Sequence, residues 1–214
     1  KYDNKDFTAI GLIASQPLVL VASTGSGVKN LAEFTQKVSK NPGKFSYGSS
    51  GVGTSLHLAG EMIKEQGKLC MTHIPYRGVA PLTNDLMGNN LEYGVFVLSS
   101  GLPHIKSGKV IALGTTEATR SAATPDIPAI SESAQYKNVD IGVWFALMAP
   151  AHLPKPVFDK LKKALNEALQ APELRKKLES SGSTVSSPSV NIDKFLAAEV
   201  AKYKQIVEFA KIEE

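Results

Sequence analysis

The residues of this sequence that could bind a ligand are concentrated in GSSGVGTS, positions 48–55. Its glycines allow positive φ angles and close approach of the backbone to a bound group, and its serines and threonine add hydroxyls that donate and accept hydrogen bonds. A helix is predicted directly behind this stretch, and the free amides and dipole of a helix start favour an anion. The stretch therefore suits a negatively charged group.

The pattern departs from that of a phosphate-binding loop at one position. GSSGVGTS fits G-x-x-x-x-G-K-[ST] at both glycines and at Ser55, but Thr54 stands where the lysine that reaches the β- and γ-phosphates belongs. Nucleotide hydrolysis is therefore not expected, whereas a carboxylate needs only neutral donors. Because turns of glycine and serine are also ordinary connections before helices, the stretch alone does not require a ligand.

A second turn strengthens the prediction of a site. PYRGVAP, positions 75–81, also follows a predicted strand and opens a predicted helix, and it places Tyr76 and Arg77 beside Gly78. Turns that follow parallel strands lie side by side at one sheet edge, where open α/β sheets bind ligands. Arg77 would supply a cation, although a single arginine in a turn ordinarily faces solvent.

A catalytic function has less support from the sequence. A serine-dependent hydrolase or transferase that uses Ser50 or Ser55 with His57 as base remains the alternative function, but a histidine that fixes the turn by hydrogen bonds is the more frequent role. The G-x-S-x-G pattern fails at Val52, and G-x-G-x-x-G fails at Leu56. The four histidines show no i, i+4 spacing, so a helical two-histidine metal site is not predicted.

Composition sets broad limits on the protein. With 214 residues, 43% of them hydrophobic, the chain can form one or two soluble lobes. The net charge of +4 is dispersed among acidic residues on helix-like segments, so nucleic-acid binding is not expected. The apolar run at 9–22 is interrupted by Gln16 and Pro17 and is too short for a membrane span. The single cysteine, Cys70, excludes an internal disulfide, and KYDNKDFTAI does not form a signal peptide. Either the protein is cytosolic or its start has been removed.

Apolar runs alternate with helical patterns, which predicts an α/β fold with largely parallel strands. A proline- and serine-rich segment, SAATPDIPAISESA, indicates a lobe boundary between residues 120 and 140. Beyond it, one strand accompanies three helical patterns, so that part of the fold is predicted to be incomplete. Strands are predicted at 18–21, 44–47, 70–74, 91–98, 110–115 and 143–150. Helices are predicted at 31–38, 81–87, 101–106, 156–170, 172–181 and 192–210. One more helix is predicted directly after the GSSGVGTS turn.

Several motifs together resemble one known family. KFSYGSSGVGTSLHLAGEMIKEQG, HIPYRGVAPLTNDLMGNN, LSSGLPHIKSGKVIALGTT, TPDIPAISES and WFALMAPAHLPKPVFDKLKKALNEALQAPELRKKLESSG resemble, in order and in spacing, the solute-binding receptors of tripartite tricarboxylate transporters, the Bug family. The resemblance covers essentially the whole sequence. Members of the family usually begin earlier, with a signal peptide and a loop rich in proline and glycine, so this sequence resembles a fragment that lacks the N-terminal part.

The resemblance implies a periplasmic binding protein without catalytic activity, cofactor or metal. Its type II architecture would have two lobes, one largely complete and the other partial. The divisions would be 1–21 for the hinge and partial first lobe, 22–125 for the second lobe, and 126–214 for the hinge return and C-terminal helices. A monomer would close on a small carboxylate and deliver it to membrane permease subunits. The ligand-binding residues implied are Ser49, Ser50, Gly51, Gly53, Thr54, Ser55, Tyr76 and Gly78.

One position departs from the family pattern. Many members carry an aspartate near the end of the strand that corresponds to YGVFVLSSGLP, and the alignment places Phe96 there. The resemblance thus implies that Phe96 belongs to the binding site. Without a carboxylate at this position, a ligand with an ammonium group loses its counter-ion, so a simple or aromatic acid is expected.

Overall fold

The structure, a computed structural model, describes residues 3–210. Its strands are β1 (Phe7–Ser23), β2 (Ser46–Ser49), β3 (Thr72–Pro75), β4 (Tyr93–Val97), β5 (Val110–Thr115), β6 (Gly142–Pro150) and β7 (Thr184–Val185). Its α-helices are α1 (Leu31–Ser39), α2 (Ser55–Gly67), α3 (Val79–Met87), α4 (Leu98–Lys106), α5 (Lys155–Gln170), α6 (Pro172–Ser180) and α7 (Ile192–Ala210). No described helix is long and apolar enough to cross a membrane.

The long strand β1 belongs to two sheets. Its C-terminal part, from Leu18 to Ser23, pairs antiparallel with β4 and β5 in a sheet of order β3-β2-β4-β1-β5. Its N-terminal part pairs antiparallel with β6 from Phe7 to Pro17 and with the two-residue strand β7. The chain therefore changes sheets between Pro17 and Leu18, and the predicted division after residue 21 falls inside β1.

The prediction of parallel strands is correct for β2, β3 and β4 and wrong for β1. Strand β2 is parallel to both β3 and β4, whereas each pairing of β1 is antiparallel. The residues of β1 from Gln16 to Ser23 are all buried. A central strand that is covered on both faces carries a continuous apolar run whichever way it points, so the sequence pattern does not reveal its direction.

Two hydrophobic clusters cover the two faces of the larger sheet. The first includes an apolar stripe of α2, where Leu58, Ala59 and Ile63 are buried. Helix α2 lies close to β2 because it has Gly60 at the contact, where a Cβ atom would be 2.1 Å from the ring of Tyr47. The second cluster joins α3 and β4 to β1. These contacts fix the starts of α2 and α3 relative to the sheet.

The segment 129–141 packs against the larger sheet. Ile130, Tyr136 and Ile141 belong to the first cluster, and Ala129 forms a bridge to Thr115. The predicted division at 125/126 therefore precedes residues that contribute to the core of the larger sheet. The proline- and serine-rich composition obscured these apolar positions. After this segment, the chain returns to the smaller sheet at β6. Phe145 and Met148 of β6 remain 45% and 40% exposed.

Candidate ligand-binding site

Three parallel strands end at one edge of the larger sheet. Strands β2, β3 and β4 end at Ser49, Pro75 and Val97, and α2, α3 and α4 begin at Ser55, Val79 and Leu98. Three helix starts therefore lie near one edge, where their free amides and dipoles favour a negatively charged group.

The first turn is held by its own side chains. Gly51 and Gly53 have φ angles of 142° and 75°, which a residue with a side chain rarely adopts. Thr54 caps α2: its Oγ1 accepts from the backbone N–H of His57 at 3.4 Å and donates to the carbonyl of Gly51 at 2.8 Å. The hydroxyl of the fully buried Ser49 accepts from Gly51 N–H at 3.2 Å. Ser49 and Thr54 thus shape the turn.

The two predicted turns are adjacent, as expected from parallel strands. The N–H of Tyr76 donates to the carbonyl of Ser49 at 2.9 Å, and the N–H of Gly78 donates to that of Ser50 at 3.3 Å. Gly78 has a φ of 102°, which explains the glycine. The Tyr76 hydroxyl donates to Asp85 in α3 at 2.7 Å. Burial, and then this hydrogen bond, raise the pKa of Tyr76 to about 12.

Free backbone donors remain at the first turn. Among residues 3–210, the N–H groups of Val52, Ser55 and Leu56 have no hydrogen-bond acceptor. Ser50 and Ser55 are partly exposed beside them, and Arg77 is exposed in the second turn. Side-chain patterns cannot predict amide donors, which is why Val52 and Leu56 are not among the predicted site residues.

The start of α4 adds a third element, which was not predicted from the sequence. Ser99 N–H donates to Oε1 of Gln16 at 3.2 Å, and Nε2 of Gln16 donates to Ser183 at 2.7 Å. Gln16 is 6% exposed and lies in β1 where that strand changes sheets. Ser99 and Ser100 are partly exposed. A serine pair that follows a strand, as in the first turn, is the sequence signal that could have found them.

Two histidine rings stack beneath the first turn. The rings of His57 and His73 lie 3.8 Å apart between centroids at an interplanar angle of 11°. Nδ1 of His57 accepts from Gly53 N–H at 3.1 Å, which confirms that this histidine fixes the turn. Burial lowers the pKa of His57, and burial together with the charge of His57 lowers the pKa of His73 to about 4. Both rings are therefore neutral at neutral pH.

The geometry does not support the hydrolase alternative. In the described part of the chain, the hydroxyls of Ser50 and Ser55 make no hydrogen bond to His57. Nδ1 of His57 is bonded to the turn, and its Nε2 lies 3.9 Å from Glu61. A nucleophile activated by a base requires a hydrogen bond between the two side chains. Within residues 3–210, no three histidine, cysteine or acidic residues are grouped to hold a metal.

The structure does not bring Phe96 to the surface of this edge. Its side chain is fully buried and belongs to the second cluster, with Val19 and Val21 of β1 and Leu82 and Leu86 of α3. A ligand could reach Phe96 only if this cluster were repacked, so we leave Phe96 out of the site.

A large cavity lies elsewhere. Its volume is about 610 Å³, and it runs between α4, α6 and β7. Lys106, Arg175 and Lys176 line it together with Glu179, and no residue of either turn does. The guanidinium of Arg175 donates hydrogen bonds to Glu179 and to the carbonyl of Leu169, each at 3.3 Å. The two turns therefore lie apart from this cavity.

Solved structures share this fold. They include an R. palustris protein with adipate, with a TM-score of 0.91 and 26% identity over 99% of this chain and 71% of that one. Another is the periplasmic binding protein BugD, with a TM-score of 0.87 and 31% identity over 97% of this chain and 70% of that one. The chain thus has the type II periplasmic-binding-protein fold, with one lobe largely complete and the other partial.

The family follows from the sequence comparison. The model of the tripartite tricarboxylate transporter family receptor matches residues 1–212, and the chain belongs to this family of receptors. Relatives include the UPF0065 protein in the tcbD-tcbE intergenic region of a Pseudomonas species, 30% identical over 96% of this chain and 62% of that protein. A UPF0065 protein of Bordetella pertussis is 37% identical over 84% of this chain and 55% of that protein. The chain therefore spans less than two thirds of the length of these curated relatives.

Proposed function

We propose that this chain serves in a periplasmic receptor that captures a small organic carboxylate and delivers it to the membrane permease of a tripartite tricarboxylate transporter. The observation that carries the proposal is the set of free amides at the start of α2, beside the hydroxyls of Ser50 and Ser55. The family supports the receptor role, and a relative solved with adipate supports a carboxylate ligand.

The proposed site separates ligand donors from residues that shape them. One carboxylate oxygen lies against the first-turn amides, and the hydroxyls of Ser50 and Ser55 complete its hydrogen bonds. Tyr76 and Gly78 form the rim on the second turn. Neutral donors suffice for a single negative charge, which accounts for Thr54 in place of a lysine. The residues that shape the first turn are Ser49, Gly51, Gly53 and Thr54.

Capture proceeds by closure of two lobes over the ligand. Strand β1 runs through both sheets, and the pair formed by Pro17 and Gly142 marks the point where it leaves β6. A ligand shifts such an equilibrium only through contacts that it makes in the closed state alone. The receptor acts as a monomer. With Phe96 outside the site, its side chain sets no condition on an ammonium group of the ligand, so both simple acids and amino acids belong in the ligand panel.

Thermal melting against a ligand panel tests this proposal. The panel contains mono-, di- and tricarboxylates, acidic amino acids and ATP. A carboxylate at about a hundred times its Kd adds roughly 2.7 kcal/mol to the free energy of unfolding, which raises Tm by several degrees. We expect one carboxylate class to raise Tm and ATP to have no effect. A rise in Tm with ATP would contradict the proposal for this chain. The absence of a rise with every carboxylate of the panel would contradict it as well.

A further inference from the structure

We propose that the stacked rings of His57 and His73 are positioning residues that hold the ligand turn while neutral and release it when protonated. The affinity for a carboxylate would then decrease as the pH decreases, because the turn loosens. This inference rests on the proposed function, since the turn is the element that would bind the carboxylate.

The contact between His57 and Gly53 depends on the proton state of the ring. Gly53 N–H donates to Nδ1 of His57 at 3.1 Å, so this nitrogen must be unprotonated. Protonation of Nδ1 would direct two N–H groups at each other. The lost acceptor would free Gly53, which stands between the amides of Val52 and Ser55 that face the proposed ligand.

His73 extends the same support to the start of the turn. Its Nε2 lies 2.8 Å from the hydroxyl of Ser49, which also accepts from Gly51 N–H. Because the centroid of the His73 ring is 3.8 Å from that of His57, charge on one ring disfavours charge on the other. The two rings therefore behave as a coupled pair beneath one turn.

The charged groups around the pair offer limited compensation for a proton. Glu61 of α2 lies 3.9 Å from Nε2 of His57, but it accepts from Lys64 at 2.8 Å and from the hydroxyl of Tyr47 in β2 at 2.6 Å. The positive charge of Lys64 opposes a second positive charge nearby. Burial raises the pKa of Tyr47, so its hydroxyl stays a donor to Glu61.

The direction of the pH effect follows from these surroundings. The pKa of each ring is lowered in the folded chain, to about 4 for His73. The neutral contacts are therefore intact above about pH 6.5, where an unfolded histidine would titrate, and weaken as pH falls toward the folded pKa. Ligand affinity is expected to fall over the same range.

Nuclear magnetic resonance tests the coupling without any ligand. The histidine rings and the Gly53 amide are followed in the chain between about pH 7.5 and about pH 4.5. We expect the His57 ring to titrate with a midpoint below about 6.5 and the Gly53 amide to shift with the same midpoint. A Gly53 amide that does not move while His57 titrates would overturn the inference.

Binding of adipate tests the functional consequence. Acid weakens any carboxylate ligand by protonating it, so the measured quantity is the ratio of Kd values at low and high pH, compared between the unchanged chain and His57→Gln. The Gln oxygen can accept from Gly53 N–H but does not titrate. We expect this ratio to be about tenfold larger in the unchanged chain. His104→Gln, a histidine outside the turn, is the control and should behave like the unchanged chain.

Failures of the two proposals can be distinguished. Equal pH ratios in the unchanged chain and in His57→Gln would overturn the histidine inference while leaving the receptor intact. If adipate and the rest of the panel bind at no pH, the proposed function fails, and the Gly53 amide titration still decides whether the pair controls the turn. His57→Asn, whose Oδ1 lies where Nδ1 of histidine does, gives a second variant if His57→Gln does not fold, with the same expected loss of pH dependence.

Discussion

Gly53→Ala is expected to weaken carboxylate binding by about tenfold or more, a loss of about 1.4 kcal/mol of binding free energy. Gly53 has a φ of 75°, and a Cβ atom added there would meet nothing within 4 Å, so the change acts through the backbone alone. An L-residue in this conformation costs about 1–2 kcal/mol. Relaxation of that strain would move the amides of Val52 and Ser55 away from the ligand.

Gly108→Ala provides the matched control. Gly108 is also exposed, has a φ of 68°, and has nothing within 4 Å of an added Cβ atom. We expect both variants to lose the same free energy of unfolding in urea, while calorimetry with the ligand identified by melting shows weaker binding for Gly53→Ala only. Unchanged carboxylate binding in Gly53→Ala would contradict the role of the turn. An equal loss of binding affinity in Gly53→Ala and Gly108→Ala would contradict it as well.

Phe96→Ala is expected to lower the free energy of unfolding by about 3–5 kcal/mol, because it removes a fully buried aromatic ring and leaves a cavity. For a chain of this length, the loss corresponds to a fall in Tm of roughly 10 °C. Phe96→Leu keeps most of the apolar volume, so it should cost less than about 1.5 kcal/mol and retain carboxylate binding.

Phe145→Ala is the control for this substitution. Phe145 lies in a strand as Phe96 does, but it is 45% exposed, so its truncation is expected to cost about 1 kcal/mol or less. Urea unfolding measures all three variants. If Phe96→Ala left the stability unchanged and abolished binding, Phe96 would belong to the site after all.

Elements with strong periodic patterns were predicted closely from the sequence. Helix α7 begins at the predicted residue, Ile192, and β5 has both predicted bounds, because each carries a regular apolar pattern. Strand β7 was missed because two residues, Thr184 and Val185, cannot form a recognisable pattern. The N-terminal half of β1 was missed because Gln16 and Pro17 interrupt its apolar run.

Most side chains of the two turns could be predicted from the sequence, but the backbone donors of the site could not. The glycine and hydroxyl pattern identified both turns, and parallel strands explained their adjacency. The stacking of His57 on His73 was not predictable, since it depends on the register in which Tyr47 pairs with His73 across β2 and β3. Phe96 was placed in the site by analogy. Alternate residues of a strand face opposite sides, so Val95 enters the first cluster and Phe96 the second, and a shift of one residue changes the face.

The central claim is that the first turn binds a carboxylate through its backbone amides. The most direct test is a crystal structure of this chain with the carboxylate that gives the largest rise in Tm. We predict carboxylate oxygens about 3 Å from the amide nitrogens of Val52, Ser55 and Leu56. A carboxylate bound instead in the 610 Å³ cavity beside Lys106 and Lys176, with the turn unoccupied, would contradict the account.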